Sequence, residues 1–196
     1  MKALFLDIET IPTDQGFKHG KPRGSEESEE QYIKRLSLSA LTARVLCLGY
    51  AIEPPFDAAV EVLSGDEPDI LQRFWGAASQ ADLFVGHNIL DFDLRFIVQR
   101  SVLQRVKPSR DIPFARYRNA PVFDTMQEWT KWGREGVSLV ALAQALDLPS
   151  PKDGMDGSKV YGAFLAGRLR DICEYCKGDV ETVRRVYRRL KFSEGV

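Results

Sequence analysis

The chain is short of the features that mark secreted, membrane-spanning or strongly charged proteins. It has only three cysteines, Cys47, Cys173 and Cys176. Such a sparse, odd set builds no disulfide framework and fits a reducing compartment, with the cytoplasm as the default. No apolar run approaches the ~18 residues of a membrane span, and Asp7 interrupts the opening stretch where a secretory signal needs apolar residues. The expectation is a soluble, unexported protein with no membrane partner. Charge of one sign is also lacking: 27 Lys+Arg against 28 Asp+Glu leave a formal net of −1, which gives no overall argument for a polyanionic partner. No internal repeat or low-complexity tract is evident.

What remains has the makeup of one ordinary globular domain: 196 residues, 44% hydrophobic and 28% charged, enough to bury a core. The near-neutral charge is a cancellation between two halves. Up to Leu94 there are 8 basic and 16 acidic side chains, and from Arg95 onward 19 basic and 12 acidic.

Hydrophobic periodicity alternates between strand and helix. Ala3–Leu6, Arg44–Ile52, Ala59–Leu63, Asp82–Val85 and Val122–Asp124 read as strands, the first three suggesting a meander. Asp66–Ala78, Phe92–Gln104, Ser138–Leu146 and Leu169–Leu190 carry apolar residues at helical spacing or cap signals. Residues 13–37 hold Gly16, Gly20, Pro22, Gly24 and the run Glu26, Glu27, Glu29, Glu30, and read as a mobile acidic insertion with a short helix over Gln31–Leu36. Strands first, then strand–helix alternation, predict a three-layer α/β fold around one mixed sheet.

Three islands carry candidate chemistry. In Leu4-Phe5-Leu6-Asp7-Ile8-Glu9-Thr10 the two carboxylates at i and i+2 share one face of the opening strand. Such a pair suits a hard divalent cation, and it is also what a solvated strand rim looks like. In Gly86-His87-Asn88-Ile89-Leu90-Asp91-Phe92-Asp93 an apolar strand gives way to a helix, where open α/β sheets present ligand groups. Aspartates at a helix start also serve simply to satisfy free N–H groups. In Tyr175-Cys176-Lys177-Gly178-Asp179 the tyrosine and aspartate are one helical turn apart on a common face, and a core tyrosine beside a solvated aspartate reads equally well. Cys173 and Cys176 form an isolated C-x-x-C with no second pair to complete a zinc site, and read as packing residues. His87 reads as a strand-end residue, and Asp124 as a capping or rim aspartate.

Taken in order, Asp-x-Glu on the first strand, Asn-x-x-x-Phe-Asp after a middle strand and Tyr-x-x-x-Asp on the last helix resemble the DEDDy class of 3′-5′ exonucleases. The second motif is most similar to the proofreading domain of B-family DNA polymerases and its stand-alone relatives, and Phe123-Asp124-Thr125 resembles a further segment of that family. The resemblance runs from about Leu4 to Val183 and leaves no room for a polymerase domain, so residues 1–196 are expected to form a single exonuclease domain. It implies a ribonuclease H-like fold, and it implies that Asp7, Glu9, Asp93 and Asp179 hold two Mg²⁺ or Mn²⁺ ions. Two such ions ~3.5 to 4 Å apart can stabilise both the attacking and the leaving oxygen of a phosphodiester. Tyr175 would orient the attacking water. The family's second motif selects Asp93 over Asp91, because its ligand directly follows the aromatic. The histidine subclass needs a histidine five residues before the last aspartate; here Glu174 stands there, and the only histidines are His19 and His87. Thr10 and Asn88 would contact the terminal nucleotide.

The substrate so implied is the 3′ end of single-stranded DNA, cut to nucleoside 5′-monophosphates. The alternatives are a 3′-5′ exoribonuclease of the same class and a nucleic-acid-binding module without turnover. Protein partners are unassigned. Arg95, Arg100, Arg105, Lys107, Arg110, Arg116 and Arg118 follow the second motif, and Arg184, Arg185, Arg188 and Arg189 line the tail; some of these are expected to offset strand phosphates and others only to solubilise the surface, with Tyr117 or Trp132 stacking bases. Lys152, Asp153, Asp156 and Lys159 lie in a turn-rich segment that reads as a solvated loop.

Overall fold

A computed structural model describes residues 1–149 and 155–193; Lys152 and Asp153 lie outside the described residues. The strands are β1 (Ala3–Pro12), β2 (Ala43–Glu53), β3 (Glu61–Ser64), β4 (Leu83–Gly86) and β5 (Val122–Asp124). They form one sheet in the order β3-β2-β1-β4-β5. The pairs β1–β2 and β2–β3 are antiparallel, whereas β4 runs parallel to β1 and β5 parallel to β4. This is the expected mixed sheet, flanked by helices in a ribonuclease H-like α/β arrangement.

The helices are α1 (Asp14–His19), α2 (Glu29–Ser37), α3 (Glu67–Ala78), α4 (Asp93–Leu103), α5 (Thr125–Thr130), α6 (Leu139–Ala145), α7 (Val160–Leu165) and α8 (Leu169–Leu190). Alternation along β1 sorts them into two layers. Leu4, Leu6 and Ile8 pack with Ile70, Leu71 and Phe74 of α3 and Leu94 and Ile97 of α4. Ala3 and Phe5, on the opposite face, pack with Val180 and Val183 of α8. Period-2 geometry puts Asp7 and Glu9 on the face with Phe5, toward α8.

Three short helices escape a sequence reading. α1 is capped by the Thr13 hydroxyl, which accepts from Gly16 N at 3.0 Å. Its glycine, which reads as a loop signal, is there for close approach: a Cβ on Gly16 would stand 1.9 Å from the Thr42 carbonyl oxygen. α5 and α7 are six residues each, too short to establish a helical period. α2 runs slightly longer than the expected 31–36. Its Ser28 forms a capping box with Gln31, and Glu27 receives Arg35 in a 2.8 Å ion pair.

Candidate active site

The opening strand continues past its carboxylates because its partners extend as far. Asp7 pairs with Gly49 and Glu9 with Cys47, and the register then slips so that Thr10 faces Val45. The bulge falls directly after the second carboxylate, where an extra residue on one strand re-aims neighbouring side chains. Asp7, Glu9 and Asp179 each present an oxygen within 4.8 Å of the other two. Residues from the two ends of the chain thus meet where α8 crosses β1.

Asp93 approaches from the opposite element. It is the first residue of α4, is 3% exposed, and its Oδ1 accepts the Ile8 N–H at 3.1 Å. That bond ties the start of α4 to β1 between the two strand carboxylates. Asp93 stands outside the tight triad, yet near enough for its charge to act on both Asp7 and Glu9.

The four carboxyls are crowded and largely removed from water, and burial is the first cause of the raised pKa in each. Burial, then Asp93, Asp179 and Glu9, hold the Asp7 carboxyl well above the usual carboxylate range. Burial, then Asp179 and Asp93, do the same to Glu9. Burial pushes Asp93 up to about 7 and Asp179 up to about 6. The Tyr175 phenol, one turn before Asp179, faces that carboxylate; burial and the surrounding negative charge raise its own pKa far beyond the ordinary phenol value. At neutral pH Tyr175 is a proton donor, which suits orienting a water and not removing its proton.

The donor set fits a hard cation. Asp7 Oδ2 and Asp179 Oδ1 are shielded from solvent and have no hydrogen-bond partner among the described residues. Buried carboxylate oxygens are costly to leave unpaired, and clustered ones are stabilised by a divalent ion with oxygen preference. Asp7, Glu9 and Asp179 are the residues placed to hold it, with Asp93 adjacent.

A cavity of about 630 Å³ opens beside the carboxylates, lined in part by Glu9, Thr10, Phe92, Lys34 and Leu38. The acidic insertion therefore supplies one wall, through α2. Thr10, on β1, also lines the cavity, but its hydroxyl donates to Ser37 O at 2.8 Å and so fastens the insertion to β1. Asn88 is not among the residues lining the cavity. It adopts φ 58°, the left-handed region that asparagine tolerates, and its carbonyl accepts from Asp91 N and Phe92 N, folding the turn that delivers Asp93.

Two residues that spacing does not single out matter here. Asp124, buried at 1% exposure, accepts from Asn88 N and Leu90 N on the turn before Asp93 and from Met126 N and Gln127 N at the start of α5. The cap reading holds for α5, and the same carboxylate pins the turn. Gly49 lies against α8, where a Cβ would stand 2.9 Å from Val180 Cγ2 and 3.1 Å from Cys176 Sγ. A glycine in the middle of an apolar strand is the signal for such close approach.

His87 bridges Thr125 Oγ1 (2.9 Å) and the Val137 carbonyl (2.7 Å), and burial lowers its pKa; it braces the strand end, as expected. Cys176 donates to the Asp7 carbonyl at 3.5 Å and is a free, buried thiol.

The basic cluster divides. Arg100 is buried, paired with Glu67 at 2.6 Å and donating to Ala40 O. Arg110 donates to Ala81 O, and Arg184 and Arg188 pair with Glu53. These four, expected among the groups offsetting strand phosphates, hold the fold instead. Arg95 and Arg116 both converge on Asp91, beside the turn.

A ribonuclease H-like sheet with carboxylates gathered at the meeting of β1, α4 and α8 defines a nuclease-type hydrolase architecture. Residues 56–196 match the model of a family described as predicted 3′-5′ exonucleases related to the exonuclease domain of PolB, and the chain belongs to that family. The match includes Asn88, Asp93, Tyr175 and Asp179, while Asp7 and Glu9 precede it. No curated protein matches the chain. Among the described residues no helix is long and apolar enough to cross a membrane.

Proposed function

We propose that the protein is a DEDDy-type exonuclease that removes nucleoside 5′-monophosphates from the 3′ end of single-stranded DNA. The observation that carries this reading is the triad of Asp7, Glu9 and Asp179 oxygens within 4.8 Å of one another, with Asp7 Oδ2 and Asp179 Oδ1 buried and unpartnered. Two Mg²⁺ or Mn²⁺ ions, held by Asp7, Glu9, Asp93 and Asp179, would supply Lewis-acid stabilisation of the attacking and leaving oxygens. Asp7 and Asp179 bring the two chain ends to one point, and the Asp93–Ile8 bond fixes the third element against them. Tyr175, protonated at neutral pH, orients the attacking water through its hydroxyl. The terminal nucleotide occupies the cavity beside Glu9, between Phe92 and the α2 wall, with Thr10 at its floor. Asn88 acts there through the turn it folds.

Matched 5′-labelled DNA and RNA strands incubated with Mg²⁺ or Mn²⁺ test this reading. DNA should shorten stepwise from the 3′ end with release of 5′-monophosphates, faster than RNA. Faster RNA digestion would make the enzyme an exoribonuclease of the same class, and tight metal-dependent binding without product would make it a binding module.

A further inference from the structure

The turn that delivers Asp93 borders a second cleft of about 460 Å³, lined in part by Asp91, Arg116, Tyr117, Trp132 and Arg134. The rings of Tyr117 and Trp132 lie with centroids 5.2 Å apart. Trp132 also packs against the core, whereas Tyr117 is 75% exposed and leaves its outer face to solvent. Tyr117 (φ 63°), Lys131 (φ 50°) and Trp132 (φ 64°) all hold left-handed backbone, which bulky residues adopt only where the surroundings impose it. Beside them Asp91 is shared by two guanidinium groups, Arg116 at 3.2 Å and Arg95 at 3.5 Å. One carboxylate does not neutralise two cations, and exposed ion pairs are weak enough to exchange for a phosphate. Glu135 also lines the cleft, so its charge is mixed and its recognition must come largely from stacking.

We infer that this cleft holds unpaired nucleotides of the substrate strand two or more positions to the 5′ side of the one being removed, a base stacking on the outer face of Tyr117 and phosphates meeting Arg116, with Arg95 beside it across Asp91. Aromatic platforms beside cationic side chains are how single strands are held without regard to sequence. The inference rests on the exonuclease reading for the strand's direction, but not for its occupancy of the cleft. Asp91 lines this cleft and belongs to the turn, held by the Asn88 carbonyl, that carries Phe92 to the first cavity and Asp93 to the carboxylates, which is what places the cleft upstream of the cut.

The test compares Tyr117→Ala, Tyr117→Trp and Arg116→Ala with the wild type on a dinucleotide and on an oligothymidylate of about a dozen nucleotides. Tyr117→Ala should raise KM for the long strand about tenfold with kcat unchanged, leave the dinucleotide untouched, and be rescued by Tyr117→Trp. Equal effects on both substrates, or none on either, would overturn the inference. Binding of the 5′-fluorescein-labelled long strand in EDTA separates this from failure of the exonuclease reading. If the wild type proves inactive with every metal, a tenfold loss of affinity in Tyr117→Ala still supports the cleft, and unchanged affinity refutes it.

Discussion

Gly49 on β2 stands directly opposite Asp7 on β1, and the missing side chain is the gap into which Cys176 and Val180 of α8 settle. The bare strand position lets the last helix come close enough for Asp179 to share a site with Asp7. Gly49→Ala should therefore displace α8 at the carboxylates more than it harms the fold. We expect a stability loss of about 1–3 kcal/mol and a fall in kcat of about 100-fold, the scale of an ångström-sized misplacement. Melting temperature and single-turnover rate, measured together, check this.

Asp124 touches neither the carboxylate triad nor the cavity, yet it receives four backbone N–H groups that shape the Asn88 turn and α5. Asp124→Ala leaves those donors buried without their acceptor, costing about 1–3 kcal/mol or more. Asp124→Asn keeps an acceptor oxygen and should retain more of both stability and activity. Urea unfolding of the two variants, compared with their digestion rates, reads the difference.

Glu67 provides a contrast far from the chemistry. It is 4% exposed and binds Arg100 through both oxygens (2.9 and 2.6 Å), Val45 N at 2.7 Å and Gln104 at 2.7 Å. Removing one partner of a buried pair strands the other charge, so Glu67→Ala should destabilise by about 3–5 kcal/mol. Whatever fraction remains folded at low temperature should bind metal normally, as a titration calorimeter would record.

The raised carboxyl pKa values predict how the metal-free fold responds to pH. A carboxyl that binds its proton more tightly when folded stabilises the protein at low pH, and that contribution is lost as pH rises through the folded value. With Asp93 at about 7, Asp179 at about 6, and Asp7 and Glu9 well above their usual range, the melting temperature in EDTA should fall as pH rises from about 5 to about 7. Within this window the buried His87, held low, acts in the opposite sense, and the four raised carboxyls outnumber it. Millimolar Mg²⁺ should flatten the fall. Scanning calorimetry that found the metal-free protein more stable at the higher pH would contradict the clustering.

Motifs confined to a few residues were legible in the sequence, because strand and helix periods alone put Asp7 with Glu9 and Tyr175 with Asp179 on common faces. The strand positions were legible too as apolar runs, except that β1 continues past the expected Leu6 to Pro12 because β2 pairs along it that far. Long-range closeness was not. Gly49 takes its meaning from α8, more than 120 residues later, and Asp124 from N–H groups on another segment. Arg100 reads as one more cation in a basic stretch until Glu67, on a different helix, is seen to enclose it. The six-residue α1, α5 and α7 are fixed by caps and tertiary contacts and not by hydrophobic period, and the glycine of α1, Gly16, serves packing where composition suggests a loop.

The central claim is that Asp7, Glu9, Asp93 and Asp179 form a divalent-cation centre. Titrating Mn²⁺ into the protein in the presence of a nucleoside 5′-monophosphate, followed by electron paramagnetic resonance, tests it most directly. The account predicts two ions bound per chain, with loss of binding in Asp7→Asn and a digestion rate about 1,000-fold lower in that variant. Absence of Mn²⁺ binding in the wild type, or binding that Asp7→Asn leaves intact, would contradict it.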